Sequence, residues 1–144
     1  MAGISHTIHY GEVNRLLRSP TSAVARDMLR RGVRVQAQAR RYLGGTDADH
    51  PKRVNTGNLR STVYALPVVV DGAPGCRVGS RVWYASLVHS GTGLYGPRHR
   101  MITPKRGKVL VFRPKGSNRV VYARKVRGMK PNPFLKDALI AAKY

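Results

Sequence analysis

Carboxylates are scarce in this chain: six Asp and Glu stand against 27 Lys and Arg in 144 residues, a formal net charge of +21. So few acids poorly supply paired-carboxylate acid–base chemistry or a carboxylate-held catalytic metal. Cys76 is the single cysteine, which excludes an internal disulfide framework and a Cys-based zinc site. No apolar run reaches the roughly 18 residues that a membrane-spanning helix needs. The first residues carry His6, Glu12, Arg15 and Arg18 and no continuous apolar stretch, so no signal peptide and a cytoplasm-like compartment are expected. Aromatics make up only 7%, so a core must be assembled from Val, Leu, Ile and Ala. There is no internal repeat and no low-complexity tract.

What remains is one domain with 42% hydrophobic residues, enough for a single modest core. Its excess positive charge repels itself and draws in polyanions. Two partners fit that charge: nucleic acid, or an acidic protein surface.

Along the chain, Ile4, His6, Ile8 and Tyr10 alternate as on a strand, and 12–18 suits a short helical turn, the two forming an N-terminal arm over 1–18. Ser19-Pro20 reads as an N-cap with Pro in the first turn, predicting a helix over 19–43. Val24, Met28, Val35, Ala39 and Leu43 form its apolar stripe. Gly32 either costs that helix about 1 kcal/mol relative to Ala or permits close approach of a strand. Gly44-Gly45 ends it. Residues 44–56 read as an exposed loop.

A sheet region is expected over 56–126. It contains strands at 62–70 and 76–80 around an Asp71-Gly72 turn, a short helix near 83–90, a long loop over 91–107, and strands at 109–112 and 119–122. A C-terminal helix closes the chain over 131–144. The order predicts an α+β fold, with a long helix and a C-terminal helix packed on a mostly antiparallel sheet and long basic loops.

Chemistry-bearing motifs fail on context. Gly91-Thr92-Gly93-Leu94-Tyr95-Gly96 matches G-x-G-x-x-G, but a dinucleotide site needs a strand before it, a helix after it and an acid about twenty residues on. A helix is expected before it, Pro97 follows, and no carboxylate occurs between Asp71 and Asp137. The segment is read instead as a loop needing several positive-φ positions, one that orders on assembly. Gly107-Lys108 lacks the Walker spacing. Asp47, Asp49 and His50 are close enough in sequence to bind a metal, against the plainer reading of a solvated loop. Cys76 is read as a small core residue. The chain is therefore expected to be no enzyme and to hold no cofactor or metal.

Two basic groups fall in loops: Arg98, Arg100, Lys105, Arg106 and Lys108, then Arg124, Lys125, Arg127 and Lys130. They suit phosphate contact without sequence readout, or acidic patches on neighbouring subunits.

The order of segments carries a resemblance. Thr56-Gly57-Asn58-Leu59-Arg60-Ser61 precedes Val78-Gly79-Ser80, Tyr84-Ala85 and Val88-His89-Ser90-Gly91-Thr92-Gly93. Ile102-Thr103-Pro104-Lys105 and Val109-Leu110-Val111-Phe112 follow, and Val126-Arg127-Gly128-Met129-Lys130-Pro131-Asn132-Pro133-Phe134-Leu135 closes the series. Over about residues 20–142 the chain resembles the bacteriophage head–tail joining, or tail-completion, family that includes minor tail protein Z of lambda-like phages. Arg127-Gly128-Met129 stands where the family has His-Pro-Gly.

The resemblance implies a structural virion protein, a neck subunit assembled in the host cytoplasm. Copies would form a ring around the DNA channel, six-fold by preference or twelve-fold. It implies partners among connector, stopper, terminator and tail-tube proteins, non-specific backbone contact with packaged duplex DNA, no membrane, and no catalytic residues to carry over. Loops 44–56 and 91–107 would then make the main intersubunit or inter-ring contacts, and deleting 92–97 would block virion completion while leaving the monomer folded. The alternative is a free basic nucleic-acid-binding protein of ribosomal or nucleoid type.

Overall fold

The computed structural model describes residues 9–45, 48–50, 52, 56–114 and 116–142. The fold is α+β. Most of the strand expected at 4–10 lies outside the described residues. Its last member, Tyr10, instead opens helix α1 (Tyr10–Arg18), with Glu12 in the first turn and Arg15 and Arg18 in the last, matching the helix dipole.

Helix α2 (Ala23–Gly44) starts four residues after the expected Ser19 cap. Ser19 instead caps the C-terminal end of α1. The working N-cap is Ser22, whose hydroxyl accepts from the Ala25 N–H at 3.1 Å. At the other end Gly45 takes the left-handed conformation (φ 77).

A short turn α3 (Asn58–Ser61) leads into β1 (Val63–Val70), which pairs antiparallel with β2 (Ala73–Ser80). Asp71 (φ 50) and Gly72 (φ 74) are both left-handed, the signature of the two-residue hairpin turn. That tight turn starts β2 three residues before the expected Cys76.

The sheet does not continue. β3 (Leu110–Phe112) and β4 (Val121–Ala123) pair only with each other, so the expected single sheet is two separate hairpins. Prolines give the physical reason. Val70 faces Ala73 across the turn, and hydrogen-bonded pairs alternate from there, so Pro67 and Pro74 occupy positions whose N–H would point outward. Each removes a donor that another strand would need.

Helix α4 (Ala85–Ser90) and α5 (Phe134–Ala141) complete the fold. α2 packs on the β1–β2 hairpin and on α5. The core gathers Val35, Ala39 and Leu43 of α2 with Leu59, Val63, Val88, Phe134 and Ala138. Gln36 Nε2 and Arg40 Nη2 both donate to the Val63 carbonyl, at 2.7 and 2.8 Å, fixing where β1 begins against α2.

Gly32 is where the strand comes close. A Cβ there would sit 2.1 Å from Cys76 Sγ and 2.8 Å from Cys76 Cβ. Cys76 serves as a packing residue, and burial pushes its thiol pKa up, away from a reactive thiolate. Gly32→Ala gains about 1 kcal/mol of helix propensity, but overpacking costs about 1–3 kcal/mol. The expected result is a net loss of stability that shrinks in a Cys76→Ala background. A double-mutant cycle by urea denaturation measures it, and additive losses would mean the two residues do not touch.

Candidate anion-binding finger and its clasp

Residues 98–130 hold twelve Lys and Arg and no carboxylate. The fold turns this run into one object. The β3–β4 hairpin is its middle, and an antiparallel bridge between Ile102 and Val126, with N–H···O distances of 2.8 and 2.9 Å, closes its base. The two basic groups read from the sequence therefore meet. Arg100 and Lys105 flank one side of the bridge, and Arg124, Lys125 and Arg127 flank the other. Arg98, Arg100, Lys105, Arg106, Lys108, Arg124, Lys125, Arg127 and Lys130 are all exposed. No other named element makes extended contact with β3 or β4. Val111 is 58% exposed and Tyr122 68%, as on an arm rather than a packed sheet.

Behind the base lies a clasp. Thr92 N–H donates to the Met129 carbonyl (2.9 Å), Leu94 N–H to the Arg127 carbonyl (2.7 Å), and Met129 N–H to Thr92 Oγ1 (2.9 Å). Asn132 N–H donates to the Val88 carbonyl at 2.9 Å, continuing the antiparallel line into α4 and the approach to α5.

Within one chain these bonds tie the segment 91–96 to residues 127–129. Its glycines are there for close approach: Gly91 (φ 78) and Gly93 (φ 65) are left-handed, and a Cβ on Gly93 would sit 2.4 Å from the Arg127 carbonyl oxygen. Gly96 is extended rather than left-handed. Leu94 and Tyr95 lie in a single 3₁₀ turn, and no helix opens after Gly96 as a dinucleotide site requires. Deleting 92–97 would remove half the clasp, with the Thr92–Met129 and Leu94–Arg127 bonds.

A cleft of about 660 Å³ lies beside the clasp, lined by Leu87, Pro97, Met101 and Ile102 with Arg98, Arg100 and Lys105 at its margin.

Loop 44–56 also turns inward at one point, against the expectation of an exposed loop. His50 is buried, stacked on the Tyr42 ring at 3.9 Å, with Nδ1 2.7 Å from Oδ1 of the fully buried Asn132. Its Nε2 lies 3.6 Å from an Asp137 carboxylate oxygen. Asp47 lies outside the described residues. Among the described residues no three His, Cys, Asp or Glu side chains gather as a metal site.

Sequence reasoning missed the His50–Asn132 pair, since 82 residues separate the partners. Asn132→Leu strands a buried imidazole nitrogen, and a loss of about 1–3 kcal/mol is expected. Thermal unfolding checks it, and an unchanged midpoint would mean that water satisfies the ring. His89, edge-on to Phe134 at 5.6 Å, has its pKa lowered by burial; Asp137 opposes that shift and Lys136 adds to it.

No family model, curated protein or solved structure matches this chain.

Proposed function

We propose that this chain is a structural subunit of the neck of a long-tailed phage. Copies would form a ring around the DNA channel, six-fold by preference and twelve-fold otherwise, and join head to tail. The observation that carries the reading is the clasp. The motifs behind the resemblance, 88–93 and 126–135, are far apart in sequence and become one hydrogen-bonded unit with Val88 and Phe134 in the core. A motif series that folds into one physical device is harder to assemble by chance than a series of scattered letters.

The finger suits the role. A carboxylate-free arm can lie along phosphates of a channel, or against an acidic neighbouring ring, without sequence readout. Its exposed cations also favour the second reading, a free nucleic-acid-binding protein.

Electron cryomicroscopy of virions of the source phage separates the two. Density for this chain in a closed ring at the neck is expected, and its absence from the particle overturns the reading. Duplex titration supplies the independent arm. A free binder holds DNA tightly alone, with affinity falling by about 10³–10⁵ between 50 and 200 mM salt if it makes 6–10 phosphate contacts. A neck subunit binds weakly until assembled.

A further inference from the structure

An antiparallel hairpin with one face on a helix ordinarily shows polar side chains on the other. The β1–β2 hairpin does not. Cys76 and Val78 face α2 at Gly32, so their cross-strand partners Pro67 and Ala65 share that face. Alternation then places Tyr64, Leu66, Val68 and Val70 in a row on the outer face. Opposite them stand Gly79, Arg77, Gly75 and Ala73, a low shelf with one charge, and a second cation, Arg81, lies over the Tyr64 ring at 5.7 Å. Leu66 is 43% exposed and Val70 54%.

At its far end this row runs into a second feature. Tyr64 and Gly79 form one wall of a cleft of about 440 Å³ whose other lining includes Val82, Trp83, His89 and Leu135. Trp83 stands at the margin, 80% exposed, and among the described residues its one ring contact is edge-on to Tyr84. An exposed Trp beside an apolar cleft is the kind of anchor that interfaces use.

Charge decides what covers this strip. Residues 61–97 contain only Asp71, Arg77 and Arg81 of the chain's 33 charged side chains, a net +1, leaving +20 to the other 107 residues. DNA or an acidic protein gains its attraction elsewhere, on the finger. A second copy of this chain, itself +21, is repelled at charged surfaces and can come close only where both sides are charge-poor. The strip offers two such surfaces at its two ends. The outward prolines close the sheet edges, so contact is made through the face and not by adding strands.

We infer that the chain self-associates head to tail through this strip, the outer hairpin row of one copy (Leu66, Val68, Val70) seating on the Trp83 cleft of the next. Such a contact is heterologous and can close a ring. The inference deepens the ring assembly proposed above and rests on it for its biological meaning, but its test does not.

Analytical ultracentrifugation of the full chain supplies that test. Raising salt to about 1 M shortens the Debye length to about 3 Å. An apolar contact between like-charged copies should then strengthen, whereas a contact made by the basic loops should weaken. Leu66→Asp/Val70→Asp and Trp83→Asp change exposed side chains; each alone should lose the oligomer, and their equimolar mixture should recover a 1:1 pair, because each retains the surface the other lacks.

A wild-type chain that stays monomeric at high salt overturns the inference without recourse to any variant. Variants that assemble like wild type, or a mixture that stays monomeric, overturn it too. A virion ring built through other surfaces would sink this contact and leave the neck reading standing. Assembly in solution by a chain absent from the virion would do the reverse.

Discussion

Phe134→Ala is expected to bring the protein to the edge of unfolding. Phe134 is fully buried and stands first among the largest buried side chains, followed by Leu43, Val63 and Asn132. The rest of the core is aliphatic: Val35, Ala39, Leu59, Val88 and Ala138. None of these can move into the space of an aromatic ring without leaving its own contacts. Truncating a buried Phe costs about 3–5 kcal/mol, the upper end belonging to sites that cannot collapse. Domains of this kind hold about 5–15 kcal/mol in total, and a chain of charge +21 loses part of that to self-repulsion. Urea denaturation should show the midpoint falling sharply. Added salt should recover part of the loss by screening the repulsion, although it cannot refill the cavity. A loss below about 1 kcal/mol would mean that the ring does not fill the core, since it falls within the range of removing a single buried methyl group, about 0.5–1.5 kcal/mol.

Much of this was legible in the sequence because it depended on near neighbours. Of the stripe Val24, Met28, Val35, Ala39 and Leu43, the last three are core and the first two are only half-buried. Asp71-Gly72 names its own turn. Gly32 raised two readings in the sequence, and the contact with Cys76 selects close approach.

The errors share a cause as well. Ser19-Pro20 and Ser22 are both acceptable helix starts by local chemistry. The choice of Ser22 leaves Ser19 as the C-cap of α1, the helical turn expected at 12–18, whose start at Tyr10 was obscured by the apparent alternation of residues 4–10. The split of the sheet depended on which way two missing N–H groups point, and that is known only once the register is.

The site was legible as charge but not as shape. Two basic groups are visible at 98–108 and 124–130, yet only the bridge between Ile102 and Val126 says that they flank one hairpin base. Gly91 and Gly93 do take the positive φ expected of this segment and Gly96 does not, while much of the backbone they approach lies at 127–131, outside the motif. A periodic pattern reports on one element's own face. A clasp between two irregular segments has no period to report.

Gly128→Ala should therefore have an effect out of proportion to one methyl group. Gly128 is left-handed (φ 89), and a Cβ there would lie 2.2 Å from the Thr92 carbonyl oxygen, 2.6 Å from its carbon and 2.9 Å from Gly93 Cα. All three are backbone atoms, so no rotamer change relieves the clash. The alternative is separation of 91–94 from 127–129, with loss of the Thr92–Met129 and Leu94–Arg127 bonds. Backbone strain costs about 1–3 kcal/mol, and forced overpacking adds about 1–3 kcal/mol more.

The damage should be local first. Amides of Thr92, Leu94 and Met129 should lose hydrogen-exchange protection well beyond those of α2. Gly116→Ala is the matched control: Gly116 is equally left-handed (φ 81) but has nothing within 4 Å, so it carries the strain without the clash. If the two variants lose protection equally at 92, 94 and 129, strain alone explains the result and the two segments are not in contact. If Gly128→Ala alone opens them, the clasp holds the base of the finger, and polyanion binding by that variant should fall while its net charge is unchanged.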